Sequence, residues 1–362
     1  MTSRRVLSIQ SHIVSGYCGN KAATFPLQLL GFDVDVMNTV NFSNHTGYPS
    51  WTGEKATGEQ LTKLFEGLQT SGLVDYTHIL TGYIGSSQNL AAVTDIVAKL
   101  EDHGNPFFVL DPVMGDNGQL YVQPDVIPLY KELMKFAKAI TPNQFEAEVL
   151  ADKKITDVKS CLEVIEILHG AGVENVVITS VSLSPSDIVA HHTFGQNGAA
   201  TNGTSKEDGV EEESMYCVCS SRRSKDGVPR VFAIGFPTYD GYFTGTGDLF
   251  SALLVARLDE AVQQEAESDL EGQEKPVSLT NGHHAEKRET ALSRACIKVV
   301  ATMRAVVLRT YQAQKGTTGR SLDRTLASSA AVVKRCELQL IQSKRDIEQP
   351  DETDVEAIEL RR

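Results

Sequence analysis

No apolar run in this chain is long enough to span a bilayer. No hydrophobic stretch of a secretory leader follows Met1-Thr2-Ser3-Arg4-Arg5. Both absences point to a cytoplasmic protein. Positive charge is scarce too. Lys and Arg number 34 against 47 Asp and Glu, for a net charge of −13. That balance argues against nucleic acid and against an anionic membrane as partners. An anionic small molecule stays open, because local basic groups or a cation can serve it. No Gly-x₄-Gly-Lys-Ser/Thr segment occurs, which disfavours a P-loop kinase. The six cysteines (18, 161, 217, 219, 296 and 336) are scattered and read as reduced thiols. Cys217-x-Cys219 has no second pair at zinc-finger spacing.

What the chain does have is Phe243-Thr244-Gly245-Thr246-Gly247-Asp248, followed by the apolar run Leu249–Ala256. The run reads as a buried helix, so two glycines, a threonine and a carboxylate sit at its start. A helix N-terminus offers unpaired N–H groups and a partial positive charge, which suit phosphate. Glycine lets the backbone approach the ligand. A carboxylate beside phosphate is repelled unless it has a task, and accepting the proton of an attacking hydroxyl is one. An Asp there also caps and favours the dipole, so the motif alone does not decide.

The rest of the chain alternates. Val6–Ile9, Asp33–Val40, Thr77–Leu80, Phe107–Leu110, Ala139–Ile140 and Val176–Ile178 read as strands. Between them Asn20–Leu30, Glu59–Leu68, Leu90–Leu100, Ile127–Phe136, Phe145–Leu150 and Leu162–Gly170 read as helices. The order predicts βαβ units and a mostly parallel sheet. In such sheets ligands bind beyond the carboxyl ends of the strands. Ser11, Thr46, Tyr83, Asp111, Thr141 and Thr179 all fall there, which suggests one shared crevice. Later, Ile188–Thr193, Met215–Ser220 and Val231–Ile234 read as antiparallel strands and Thr290–Tyr311 as an amphipathic helix. The end after Arg345 is charged and predicted to fray.

Several segments then resemble the pyridoxal kinase family, vitamin B6 kinases of the ribokinase-like superfamily. They are Ser8-Ile9-Gln10-Ser11-His12, Gly16-Tyr17, Gly19-Asn20, Phe42–Tyr48, Leu80-Thr81-Gly82-Tyr83, Asp111–Asp116, Thr141–Glu148, Gly245–Asp248 and Gln342–Asp346. The resemblance covers residues 4 to about 194, 230–258 and 290–349 in order. The Gly-Thr-Gly-Asp motif is shared by the superfamily; the Ser-His and His-Thr-Gly-Tyr segments are more specific. The resemblance implies an α/β protein, a three-layer α/β/α sandwich with a mostly parallel central sheet. It implies one kinase domain over residues 1–349. Composition, rich in Gly, Asn, Thr and acid at the first and acid-heavy with few apolar anchors at the second, predicts mobile insertions at 195–228 and 259–289 and a charged tail at 350–362.

It further implies transfer of the ATP γ-phosphate to the 5′-hydroxyl of pyridoxal, pyridoxine or pyridoxamine by a homodimer. A divalent ion (Mg²⁺ or Zn²⁺) and K⁺ are the implied cofactors. Carried over by position, Ser11, Thr46 and Tyr83 resemble the residues that hold the pyridine ring, and Asp248 the base. Gly245, Thr246 and Gly247 resemble the cradle of the transferring phosphoryl group. Asp111, Asp116, Tyr121, Thr141, Thr179, Ser180, Thr246 and Gly247 resemble the nucleotide-side residues. Asp111, Asp116 and Glu146 resemble the metal set, with Asn143 behind it holding metal-bound water. Asn117–Tyr121 and Gly235–Tyr242 depart from the family pattern, so the contacts to adenine are not assigned. Two rivals stand beside this reading. One is a kinase of the same superfamily acting on a hydroxymethylpyrimidine or a sugar; the other is a non-catalytic vitamer-binding protein.

Overall fold

The computed structural model describes residues 4–192, 214–222, 229–273, 289–315 and 329–361. In chain order the elements are β1 (Arg5–Ile13), α1 (Asn20–Leu29), β2 (Asp33–Phe42), β3 (Gly53–Lys55), α2 (Gly58–Thr70), β4 (His78–Thr81), α3 (Ser87–Gly104) and β5 (Phe107–Leu110). A small ribbon of β6 (Gly115–Asp116) and β7 (Gln119–Leu120) follows, then α4 (Val126–Leu133), β8 (Ala139–Ile140), α5 (Gln144–Ala151), α6 (Val158–Gly170), β9 (Asn175–Leu183) and α7 (Pro185–Ala190). The last part holds β10 (Ser214–Ser221), β11 (Arg230–Phe236), α8 (Thr246–Gln273), α9 (Ala291–Lys315), α10 (Ala330–Arg335), α11 (Lys344–Glu348) and β12 (Ala357–Leu360).

Ten strands form one sheet in the order β12-β11-β10-β9-β8-β5-β4-β1-β2-β3. The six strands from β9 to β2 run parallel; β3 and β10 to β12 add antiparallel edges. Alternate side chains of a strand face opposite sides. In β9, Val176 and Ile178 accordingly join one buried cluster while Val177 joins another. The first cluster packs α2 to α6 on one face, and the second packs α8 and α9 on the other. Helices on both faces of a mostly parallel sheet make the expected three-layer α/β/α sandwich.

Three expectations are corrected. The expected strand Ile188–Thr193 does not form over its described residues, 188–192: Pro185 at the first helical position and Asp187 in the first turn start α7 instead, and residue 193 lies outside the described residues. The acid-rich stretch from Asp259 does not leave the fold at once, because α8 continues to Gln273. Glu260 on that helix holds Arg257 and Lys298 at 2.8 Å each, which ties it to α9. Residues 274–288 of that expected insertion lie outside the described residues, as do 195–213 and 223–228 of the other. Between the latter two pieces β10 is a central strand of the antiparallel edge. The end of the chain does not fray. β12 pairs with β11, and Val355 and Leu360 are buried. The Gln342–Asp346 segment is a clasp: Asp346 pairs with Arg309 at 2.7 Å, and Arg257 donates to the carbonyls of Ile347 and Glu348.

Candidate active site

α8 begins at Thr246, so the Gly-Thr-Gly-Asp motif sits at a helix N-terminus as its sequence predicts. Gly245 has φ +80°, a conformation that suits glycine, and a β-carbon there would lie 2.3 Å from the Tyr17 carbonyl oxygen. Asp248 is buried, and its Oδ2 accepts the Gly19 N–H at 2.7 Å. Burial pushes its carboxyl above the ordinary value, opposed by the Gly19 N–H and the Cys18 thiol. Gly19 also lies against Ser11, since a β-carbon there would meet the Ser11 carbonyl oxygen at 2.0 Å. The start of α8, the Tyr17–Gly19 loop and the end of β1 therefore stack directly on one another.

Beside Asp248 stands a second buried carboxylate, Asp111, just after β5. Its Oδ2 accepts the Ser251 hydroxyl at 3.0 Å, and Ser251 Oγ lies 2.8 Å from Thr141 Oγ1. Burial and the charges of Glu146 and Asp248 hold Asp111 well above the usual carboxylate range. Glu146 spends both oxygens on backbone. Oε1 accepts the Met114 N–H at 2.9 Å and the Gly115 N–H at 3.3 Å; Oε2 accepts the Asn143 N–H at 3.0 Å. Asn143 answers as the N-cap of α5, accepting the Glu146 N–H, and its amide donates to the Gly115 carbonyl at 2.8 Å. Burial raises Glu146 to about 7 against these donors. Asp116 turns its two oxygens to the backbone and side-chain N–H groups of Asn117. Among the described residues, no group of three or more His, Cys, Asp or Glu could hold a metal ion by itself.

Two sheet irregularities fall at expected site residues. Between β1 and β2 the register shifts at Gln10/Ser11, leaving Thr39 as the extra residue, and Thr39 donates to the Tyr83 carbonyl at 2.7 Å. Between β9 and β10 the register shifts again, with Thr179 and Ser180 opposite the shift. Such bulges re-aim side chains. Thr179 and Ser180, with Thr246 and Gly247, line a cavity of about 280 Å³. Its other walls are Phe236, Pro237, Thr238, Tyr239 and Phe243 from the segment before the motif, Phe250 on α8, and Val300, Met303, Arg304 and Val307 from α9. An apolar slot opening on a helix N-terminus fits a flat heteroaromatic base that carries phosphates.

The structure thus brings together Asp248, Gly245, Thr246, Gly247, Ser11, Asp111, Thr141, Thr179 and Ser180, with Glu146, Asn143 and Asp116 around the ribbon alongside. Tyr83 is half-buried after β4. Thr46 is exposed in the turn between His45 and Gly47. Tyr121 is 60% exposed at the end of the ribbon, its N–H donated to the Met114 carbonyl. Sequence reasoning missed Ser251, Cys18, the cavity walls and Glu337. Ser251 had a signal, lying one helical turn after Asp248, and Phe236, Pro237 and Tyr239 lie in the Gly235–Tyr242 segment whose divergence left the adenine contacts unassigned; Glu337 and the α9 walls meet the site only through long-range packing.

A family model described as phosphomethylpyrimidine kinase matches residues 46–208. The chain is 38% identical over 357 residues to pyridoxal kinase of Homo sapiens, covering 96% of each chain. It is 37% identical over 348 residues to pyridoxal kinase of Arabidopsis thaliana, covering 96% of this chain and 92% of that one. Among solved structures, pyridoxal kinase from Leishmania donovani in complex with ADP and pyridoxamine superposes with a TM-score of 0.73 at 30% identity, over 99% of this chain and 100% of that chain. Such identity over nearly the whole length, on this fold and around this motif, means that the chain belongs to the pyridoxal kinase family.

Proposed function

We infer that this chain catalyses ATP-dependent phosphorylation of the 5′-hydroxyl of pyridoxal, pyridoxine and pyridoxamine, in the salvage of vitamin B6. The observation that carries the reading is Asp248. It is buried at the N-terminus of α8, held by the Gly19 N–H, and separated from Ser11 only by Gly19. The vitamer would lie among Ser11, Thr46 and Tyr83 with its 5′-hydroxyl at Asp248. Asp248 takes the hydroxyl proton as the oxygen attacks the γ-phosphorus and the β–γ bond breaks towards ADP. Backbone N–H groups of Thr246 and Gly247 meet the charge on the transferring group. The cavity beside Thr179 and Ser180 takes the adenine, a role supported by its apolar walls. Complexes of relatives with ADP and pyridoxamine or pyridoxine agree with this assignment of two co-substrates.

The carboxylates here suit an ion that arrives on the nucleotide and keeps several waters, as Mg²⁺ does, rather than a dedicated cage. Asp111 would hold it, with Asp116 and the Glu146–Asn143 pair reaching its waters. When bound, it neutralises phosphate charge. Zn²⁺ as the alternative ion, K⁺ activation, a homodimer and a cytoplasmic location complete the reading.

The test is an ADP-release assay with ATP, Mg²⁺ and K⁺, comparing pyridoxal, pyridoxine, hydroxymethylpyrimidine and ribose, with products identified by mass. Vitamer-dependent ADP and a 5′-phosphate are expected. The phosphomethylpyrimidine kinase match gives hydroxymethylpyrimidine a place in the panel; turnover of that compound alone would keep the fold and discard the substrate. Binding of vitamers without turnover would favour a binding protein. Asp248→Ala should lower kcat about 10²–10⁴-fold with a smaller change in KM. Wild-type kcat in that variant would remove Asp248 from the role of base.

A further inference from the structure

Glu337 is a buried carboxylate, 8% exposed, for which the reaction above has no use. It follows α10 and reaches two segments more than 280 positions away. Its Oε2 accepts the Tyr17 N–H at 2.8 Å. Its Oε1 accepts the Tyr48 hydroxyl at 2.9 Å and lies 3.3 Å from His45 Nε2. His45 Nδ1 accepts the Gly47 N–H at 3.1 Å, so Nε2 carries the ring proton and points it at Glu337. The His45 and Tyr48 rings meet edge to face at 4.7 Å, which fixes their directions further. The approach is close enough to require glycine at position 16. A β-carbon there would lie 2.3 Å from Glu337 Oε1, and φ is +100°.

Each segment leads to a different half of the proposed vitamer site. From Tyr17 the chain runs two residues to Gly19, whose N–H holds Asp248, and the Tyr17 carbonyl rests against Gly245. From His45 it runs to Thr46 and to Gly47, which in turn lies against the Tyr242 hydroxyl. One carboxylate therefore ties the loop that holds the base to the turn that carries Thr46. No residue lining the 280 Å³ cavity is among the partners of Glu337.

We propose that Glu337 is a positioning residue that sets vitamer affinity and orientation by locking the Gly16–Gly19 loop and the His45–Tyr48 turn into one frame. The proposal rests on the reading of Asp248 and Thr46 given above. A glutamine at 337 keeps the shape but puts an NH₂ where donors already point, leaving a buried N–H or hydroxyl without an acceptor. The frame then loosens on the vitamer side alone.

The test is steady-state kinetics of Glu337→Gln, Tyr48→Phe and the double variant, varying pyridoxal and MgATP separately, with melting curves alongside. Glu337→Gln is expected to raise the pyridoxal KM about tenfold or more and to lower kcat, with the ATP KM within about twofold. Tyr48→Phe should raise the pyridoxal KM about threefold in the native background and have no further effect when Glu337 is already replaced. An unmoved pyridoxal KM in Glu337→Gln, or an ATP KM that rises in step with it, overturns the proposal. If Glu337→Gln fails to fold, Tyr48→Phe decides. A raised pyridoxal KM with an unmoved ATP KM supports the frame, and an unmoved pyridoxal KM overturns it. Normal turnover by the unmodified chain with silent variants sinks this proposal alone; no vitamer turnover by the unmodified chain sinks the functional reading as well.

Discussion

A buried carboxylate at a helix start feels opposed influences, and at Asp248 burial wins over the Gly19 N–H and the Cys18 thiol. The proposed base works only as the anion. Activity is therefore lost as pH falls through its raised pKa, so the acid limb of kcat/KM should lie above the ordinary carboxylate value of about 4. Cys18→Ala removes one donor to the anion and should move that limb to still higher pH; a pH–rate profile of both proteins checks it. Asp111 carries the same logic into stability. Its folded-state pKa is raised by burial and by the charges of Glu146 and Asp248. Its share of stability is thus present at low pH and is lost as pH rises towards that raised pKa. Asp111→Asn cannot ionise and keeps an oxygen for the Ser251 hydroxyl. Melting scans should show the variant gaining on the ligand-free wild type between pH 5 and pH 8, by about a few degrees, while its kcat falls.

Among elements, β12 separates what local sequence can say from what it cannot. Its four residues carry one charge and sit in an acidic stretch, so no periodicity announces a strand. It forms because β11 offers an unpaired edge and because Leu360 finds a buried place. Removing residues 357–362 should reopen that edge, lower the melting temperature by several degrees and promote association, seen by size-exclusion chromatography. The parallel core was legible for the opposite reason: its strands carry short apolar or alternating runs, punctuated by helices of ordinary length. α7 was misread because an apolar Ile-Val-Ala run fits either state, and Pro185 decided it. In the candidate site, Asp111 and Thr141 could be placed from their positions at strand ends, and the Gly-Thr-Gly-Asp motif from the apolar helix behind it. Thr179 was expected at a strand end but lies inside β9, reaching the site through the register shift. Glu337, His45 and Tyr17 meet across about 290 and 320 positions. Nothing in the spacing of the chain could pair them.

At the scale of the molecule, charge sets the last expectation. The chain carries a net −13, and Asp248, Asp111 and Glu146 lie buried close enough to raise Asp111 together. A nucleoside triphosphate brings several more negative charges to the same place. The N-terminus of α8 offers about half a positive charge and the cavity wall one guanidinium, Arg304, already donating to the Asp354 carbonyl; together they do not offset them. A divalent ion on the phosphates reverses the balance, since its charge both meets the phosphates and favours ionised Asp111. Binding of a ligand to the folded state stabilises it in proportion to the logarithm of its concentration over Kd. A non-hydrolysable ATP analogue with Mg²⁺ should therefore raise the melting temperature by several degrees, and the same analogue in EDTA should raise it by little or nothing. The Asp111→Asn variant should shrink the difference between the two conditions, because it removes one of the charges the ion answers. An equal shift with and without the ion would mean that the nucleotide is held by the cavity, Arg304 included, and the helix N-terminus alone. The buried carboxylates would then lose their part in binding it.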